Sequence, residues 1–171
     1  MDITLETDKT FKIKGKTGTV LTDPKGPTIE SLNGGKLTLT GPGEYEVSGI
    51  SIIGIPINEE TVFIYEVDKL RICHLGNLIK KLPENKLALL GDVDVLLLFV
   101  GSQSVEIIQQ IESQYVIPFG YKNQEELDKF LRESGLVVEK KSRFSLKKEE
   151  IIEESSAQIV ILEKNGSYKS S

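Results

Sequence analysis

The sequence predicts an α/β domain whose strands crowd into the first half. Short segments from Ile3 to Ile55 alternate apolar and polar residues and are separated by Gly, Pro, Asn and Asp, as strands with one buried face are. Val93–Val100 is an almost unbroken apolar run, which suits a strand buried on both faces. After it, Val105, Ile108, Ile111 and Tyr115 recur at helical spacing before a second apolar strand, Tyr115–Phe119. Strand, helix and strand in that order make a parallel crossover.

The elements follow in order. Ile3–Glu6, Thr10–Lys14 and Thr17–Leu21 are the opening strands. Thr22–Pro27 interrupts them, because Pro24 and Pro27 restrict the backbone and Gly26 tolerates positive φ. The turn Asn33–Gly35 leads into a strand over Lys36–Thr40, and Gly41–Gly43 turns into another that ends at Val47 and pairs with Gly49–Ile55. Thr61–His74 reads as a hairpin closed by a tight Asp68-Lys69 turn and stopped by Gly76. Asn77–Leu82 is expected to form a short helical turn ended by Pro83. The helix at Ser104–Gln114 follows the buried strand. Asn123–Glu126 has the form of a capping box, with Asn123 as cap and Glu126 reaching back. It opens a helix carrying Leu127, Phe130 and Leu131 on one stripe, with Gly135 as C-cap. Strands at Val137–Lys141 and Gln158–Glu163 finish the fold, and Lys164–Ser171 reads as a frayed tail.

The bulk properties limit the functions available. A chain of 171 residues fits one domain spanning 1–171. Its 39% hydrophobic and 27% charged residues are those of an ordinary globular protein. The net charge of −5, with lysines and arginines interleaved among acids, argues against nucleic-acid binding. Val93–Val100 is too short to span a bilayer, so no membrane association is expected. One cysteine excludes an internal disulfide, and with no basic-then-apolar N-terminal segment it points to the cytoplasm. The single histidine matters most. Imidazole is the commonest zinc ligand, so one His and one Cys leave little for a transition-metal site.

Few residues can carry chemistry. Cys73 and His74 are neighbours, but adjacent strand residues face opposite ways, so the imidazole cannot take the thiol proton. Asp92 and Asp94 share a face and could contribute to a Mg²⁺ or Ca²⁺ site, yet two carboxylates without a third ligand are too few. Gly101–Ser104 ahead of a helix could cradle an anion; without the lysine and glycines of a phosphate-binding loop, capping is its expected role. Asp23 sits in a strand-end turn.

Several segments, taken in order, resemble the metallo-β-lactamase superfamily, in particular the small prokaryotic zinc-dependent hydrolase-like proteins related to ascorbate-6-phosphate lactonases. They are Leu21–Pro24, Gly41–Val47, Gly54–Pro56, Ile64–Gly76, Val93–Leu98 with Val100-Gly101, and Val116–Pro118 followed by Tyr121. The resemblance implies an αββα sandwich of two mixed sheets with a site at one edge, here with a shortened first half. Active members of the family hold metal with a His-x-His-x-Asp-His cluster, an Asp in His-x-Gly-Asp and a late His in Ile-Pro-x-His. Here Pro27–Thr40 contains no His, the Asp position is Asn77, and the late His position is Gly120. Asp23, His74, Asn77 and Gly120 are then vestigial site positions, with no cofactor expected. These enzymes act by lowering the pKa of a metal-bound water, and without ligands that chemistry is lost.

Three readings follow. In the first, the chain is a non-catalytic scaffold or interaction module, with a protein partner of unknown identity or self-association through sheet ends. In the second, a hydrolase or lactonase binds metal differently through Asp23, His74, Asp92 or Asp94. In the third, the vestigial cleft binds a small molecule or anion.

Overall fold

The computed structural model describes residues 1–23, 25–153 and 155–164. The readings of Pro24 and of the tail beyond Lys164 lie outside them. In chain order the first strands are β1 (Asp2–Thr7), β2 (Thr10–Lys14), β3 (Gly18–Leu21), β4 (Thr28–Ser31) and β5 (Lys36–Thr38). Next come β6 (Gly43–Val47), β7 (Ile50–Ile57), β8 (Glu60–Val67) and β9 (Leu70–His74). Helix α1 (Glu84–Leu90), β10 (Val95–Phe99), α2 (Ser104–Ile111), β11 (Tyr115–Phe119) and α3 (Gln124–Ser134) follow. The last strands are β12 (Val137–Lys141), β13 (Phe144–Ser145) and β14 (Gln158–Leu162).

Two sheets result. The smaller has the order β13-β1-β2-β3-β4-β5, and the larger β12-β14-β11-β10-β9-β8-β7-β6. The larger sheet is mixed: β6 to β9 run antiparallel, and β9, β10, β11, β14 and β12 run parallel. The parallel part is the expected crossover, with α2 linking β10 to β11. The pairs of the smaller sheet are antiparallel throughout, so only one of the two sheets is mixed.

Strand alternation sorts side chains into two cores. Ile3, Phe11, Ile13, Val20, Tyr65, Leu70 and Ile72 fill the space between the sheets. Ile64, Cys73, Leu96, Leu98, Ile107 and Phe130 fill the space between the larger sheet and the helices. Burying each large apolar side chain contributes roughly 1.5–3 kcal/mol relative to leaving it in water. The helices pack in this second core, on the outer face of the larger sheet. The smaller sheet turns polar residues such as Lys12 and Lys14 outward, and no helix covers it among the described residues. The expected αββα sandwich is therefore corrected to a ββα arrangement among the described residues, with helices on the larger sheet alone.

The hairpin of β8 and β9 lies inside the larger sheet. Asp68 (φ 50°) and Lys69 (φ 67°) both take left-handed backbone, the geometry a two-residue hairpin turn needs to match strand twist. Other expectations need correction. Pro83 opens α1 instead of ending a turn: its φ of −60° is already helical in φ, and a first-turn residue needs no N–H. Helix α2 stops at Ile111, where Glu112 turns left-handed (φ 56°), and it buries Ile107 with Ile108 and Ile111. Val105 is only half-buried, because the helix is rotated toward Ile107. Strand β4 hides between two breakers and buries a single apolar residue, Ile29, too little alternation to register. The Asn123 cap and the Gly135 C-cap are as expected, Asn123 Oδ1 accepting the Glu126 N–H at 2.9 Å, but Glu126 does not return the bond, so the capping box is only half formed.

Candidate functional site

At one end of the sandwich, strand ends from both sheets enclose a cavity of about 140 Å³. Thr22 and Asp23 follow β3, Glu59 lies in the β7–β8 turn, Glu60 opens β8, His74 ends β9, and Phe119 ends β11. Asp23, His74 and Asn77 all line this cavity. Gly120 follows Phe119 just beyond its lining.

His74 is the centre of the cavity wall. It is 8% exposed, and its Nδ1 accepts the Gly76 N–H at 3.0 Å. That bond leaves the proton of the neutral ring on Nε2, which is buried with no partner. The ring lies 5.2 Å from the Phe119 ring and 6.3 Å from that of Phe11. Burial among these rings pushes the imidazole pKa down to about 4, since charge is costly away from water. At neutral pH His74 is therefore uncharged.

Cys73 points the other way, into the core under the helices. Burial pushes its thiol up to about 12, against a smaller opposing effect of Arg71. A neutral thiol on the far face cannot act with His74 as nucleophile and base. Asp94 and Asp92 lie at the opposite end of the sheet, beside the start of β9. Asp94 Oδ2 accepts the Arg71 N–H at 2.8 Å and stands 3.6 Å from Lys148 Nζ, so it ties β10 to β9. Asp92 is exposed. Neither can join His74.

The remaining polar groups shape the backbone. Asp23 Oδ1 accepts the Lys25 N–H and its carbonyl accepts the Gly26 N–H, both at 2.9 Å. Gly26 passes so close to Leu39 that a Cβ would stand 1.9 Å from its carbonyl oxygen; only glycine fits there. Thr22 exchanges two 2.9 Å bonds with the Phe11 backbone, through its own N–H and its Oγ1. Asn77 is exposed in the turn after β9. At Gly120 (φ 73°) a Cβ would meet the Phe99 ring at 2.4 Å, so a larger residue there must displace Phe99. Ser104 Oγ accepts the Gly101 N–H at 2.8 Å and donates to the Gly101 carbonyl at 3.0 Å. Gln103 Oε1 accepts the Lys81 N–H at 2.8 Å. Gln103 and Ser104 therefore serve the fold, although Gln103 at the start of α2 makes no side-chain cap and the expected capping is not formed.

Thr22, Phe63, Tyr65 and Phe119 were not singled out as site residues in the sequence. Phe63 stacks on Tyr65 at 6.1 Å, and both line the cavity with Phe119. A signal existed: on β8 and β9, Phe63 and Tyr65 share the face of Ile72 and His74 by two-residue alternation. What alternation does not reveal is which strand ends converge.

A model described as a β-lactamase superfamily domain matches residues 28–120, more than half of the chain. The chain belongs to that superfamily. No curated protein matches the chain. Among solved structures, a zinc-dependent hydrolase of the metallo-β-lactamase superfamily from Thermotoga maritima, as that structure is described, is similar. It has 22% identity over 95% of this chain and 98% of its own, with a TM-score of 0.74. A structure described as a metal-dependent hydrolase from Parabacteroides distasonis has 10% identity over 96% of this chain and 99% of its own, with a TM-score of 0.50. At these identities the likeness concerns the fold: α/β with two facing sheets.

The superfamily's metal chemistry can be tested against the residues present. Among the described residues no group of three His, Cys, Asp or Glu side chains converges as a metal would require. The one imidazole is wedged between Phe11 and Phe119, and a neutral amide stands at position 77. The residues of the cavity do not fit a zinc or two-metal site. No helix among the described residues is long and apolar enough to cross a membrane.

Proposed function

We propose that this chain is a metal-free, non-catalytic member of the superfamily, derived from its ascorbate-6-phosphate-lactonase-related branch and retained as a scaffold or protein-interaction module. The observation that carries this reading is the surrounding of His74: two aromatic rings, a buried Nε2 and no converging carboxylates. A cation placed there would lose its hydration without finding three converging ligand side chains among the described residues. The positions Asp23, Asn77 and Gly120 support the reading as turn residues with roles in the backbone. The exposed edges of the sheets carry charges, Glu44 and Glu46 on β6 and Glu139, Lys140 and Lys141 on β12. Charged edges discourage strand-to-strand pairing, which favours a partner bound at a surface over self-association.

The test is metal analysis of protein purified without chelators and then incubated with zinc, manganese or iron. Substoichiometric metal after desalting is expected; one zinc retained per chain would overturn the reading. A second reading, a small molecule held in the cavity, is favoured by the unpartnered Nε2 and by Lys9 and Lys25 in the lining. The cavity of about 140 Å³ is smaller than the 300–1,000 Å³ typical of ligand sites. A ligand that binds the native state must raise its unfolding temperature, so a screen of phosphorylated sugars, nucleotides and lactones separates the two.

A further inference from the structure

At the opposite end of the sandwich from His74, the β2–β3 turn, the β8–β9 turn and the segment after β13 surround a groove of about 540 Å³. Two of its three acids are already engaged. Asp68 Oδ1 accepts the Lys16 N–H at 2.9 Å and Oδ2 pairs with the Met1 ammonium at 3.2 Å. Asp2 accepts from Ser145 Oγ at 2.7 Å. The lysines are not engaged in the same way. Lys148 pairs with Asp94, but among the described residues Lys14, Lys16, Lys69 and Lys147 have no carboxylate within ion-pair distance, although all four line the groove. Against these four ammonium groups stands one unengaged carboxylate, Glu149. In a chain of net charge −5, this is a local surplus of positive charge set in a concavity.

We propose that this groove docks an acidic segment of a partner protein. Charge complementarity requires an anion. Its form follows from how the charge is presented. A compact dianion such as phosphate is best held by converging backbone N–H groups or buried forks, whereas these lysines are exposed, on long stems, and come from three separate segments. Such an arrangement matches several carboxylates spaced along an extended chain. A nucleic acid would carry its charges past the groove and over a surface that is negative overall. The proposal extends the interaction-module reading by naming the surface and the partner's chemistry, yet it is read independently. Zinc retained in the metal analysis would end that reading and leave the groove titration unchanged.

The experiment is fluorescence anisotropy with a short fluorescein-labelled Glu/Asp-rich peptide at low and at physiological ionic strength. Three proteins are compared: wild type, Lys14→Glu/Lys69→Glu/Lys147→Glu, and Lys80→Glu/Lys81→Glu/Lys122→Glu. The last makes the same charge change at exposed lysines outside the groove. Binding by wild type that weakens with salt is expected. So is a loss of more than about tenfold in the groove variant and of less than about twofold in the control, because charge complementarity acts locally once salt screens the rest. Thermal unfolding of all three shows that they fold. The proposal is overturned by absence of binding at low salt, by equal losses in both variants, or by a single-stranded oligonucleotide that binds the groove more tightly than the peptide.

Discussion

The two ends of the β8–β9 hairpin are built on opposite terms. At the turn end, Asp68 and Lys69 supply the backbone the turn needs, and both Asp68 oxygens reach the smaller sheet, to Lys16 and Met1. Both carboxylate oxygens of Asp68 there have a partner. At the open end, His74 keeps one partner, the Gly76 N–H, and leaves Nε2 buried without any. Aromatic rings fill the space around it. An unsatisfied buried donor is costly to a fold, so folding alone does not explain a histidine here, whereas folding accounts fully for Asp68. One end of the hairpin is a clamp between the sheets. The other is a buried imidazole enclosed by Phe11 and Phe119.

The contrast breaks most sharply if the aromatic closure is opened. Phe11 is fully buried and stands edge-on to Phe119 at 5.3 Å. Phe11→Ala is expected to lower stability by about 3–5 kcal/mol, the usual range for a buried Phe deletion, read from the midpoint of urea unfolding. A loss under about 1 kcal/mol would mean that the rings do not hold this end together.

Acid sharpens the same comparison. An unfolded chain protonates His74 near the ordinary value of 6.5, while the folded chain resists until about 4. Between those values the unfolded state holds more protons, so stability falls as pH drops from 6.5 toward 4 and is unaffected by this group above 6.5. The full difference corresponds to roughly 3 kcal/mol. His74→Gln cannot protonate, so its stability relative to wild type is expected to rise by up to that amount between pH 7 and pH 4. Parallel pH profiles for the two proteins would show that His74 is not buried as described.

Much of this was legible in the residues, and the illegible part has a physical cause. The hairpin turn, the buried strand at β10, the crossover and the Asn123 cap are local patterns, readable over a few residues. Strand β4 and the role of Pro83 were missed because a four-residue strand with one buried side chain, and a proline that begins rather than ends a helix, depend on what packs nearby. The aromatic closure was missed for a related reason. Phe11, Phe63 and Phe119 are more than fifty residues apart in sequence, and only the stacking of the sheets brings them to one imidazole.

At the turn end the expected effect is smaller. Asp68→Ala removes the acceptor for the Lys16 N–H and the partner of the Met1 ammonium, and should lower stability by about 1–3 kcal/mol, most visibly at low ionic strength. Asp68→Asn keeps one acceptor and tolerance of left-handed backbone, so it should lose less. Equal losses in the two variants would locate the role of Asp68 in its charge alone.

The smallest expected effect is the most discriminating. Asn77→Asp puts a carboxylate at the turn position after His74, where the sequence resemblance leads one to expect an aspartate. Asn77 is exposed, so stability should stay within about 0.5 kcal/mol of wild type. Zinc retention should not change either. The new carboxylate would join a single imidazole held between two rings, with no further His in the chain and no three ligand side chains converging among the described residues, so the set falls short of zinc coordination. If Asn77→Asp instead gained one zinc per chain, the open end of the hairpin would be a site one residue short of complete, and the aromatic closure would have to move aside to admit the ion.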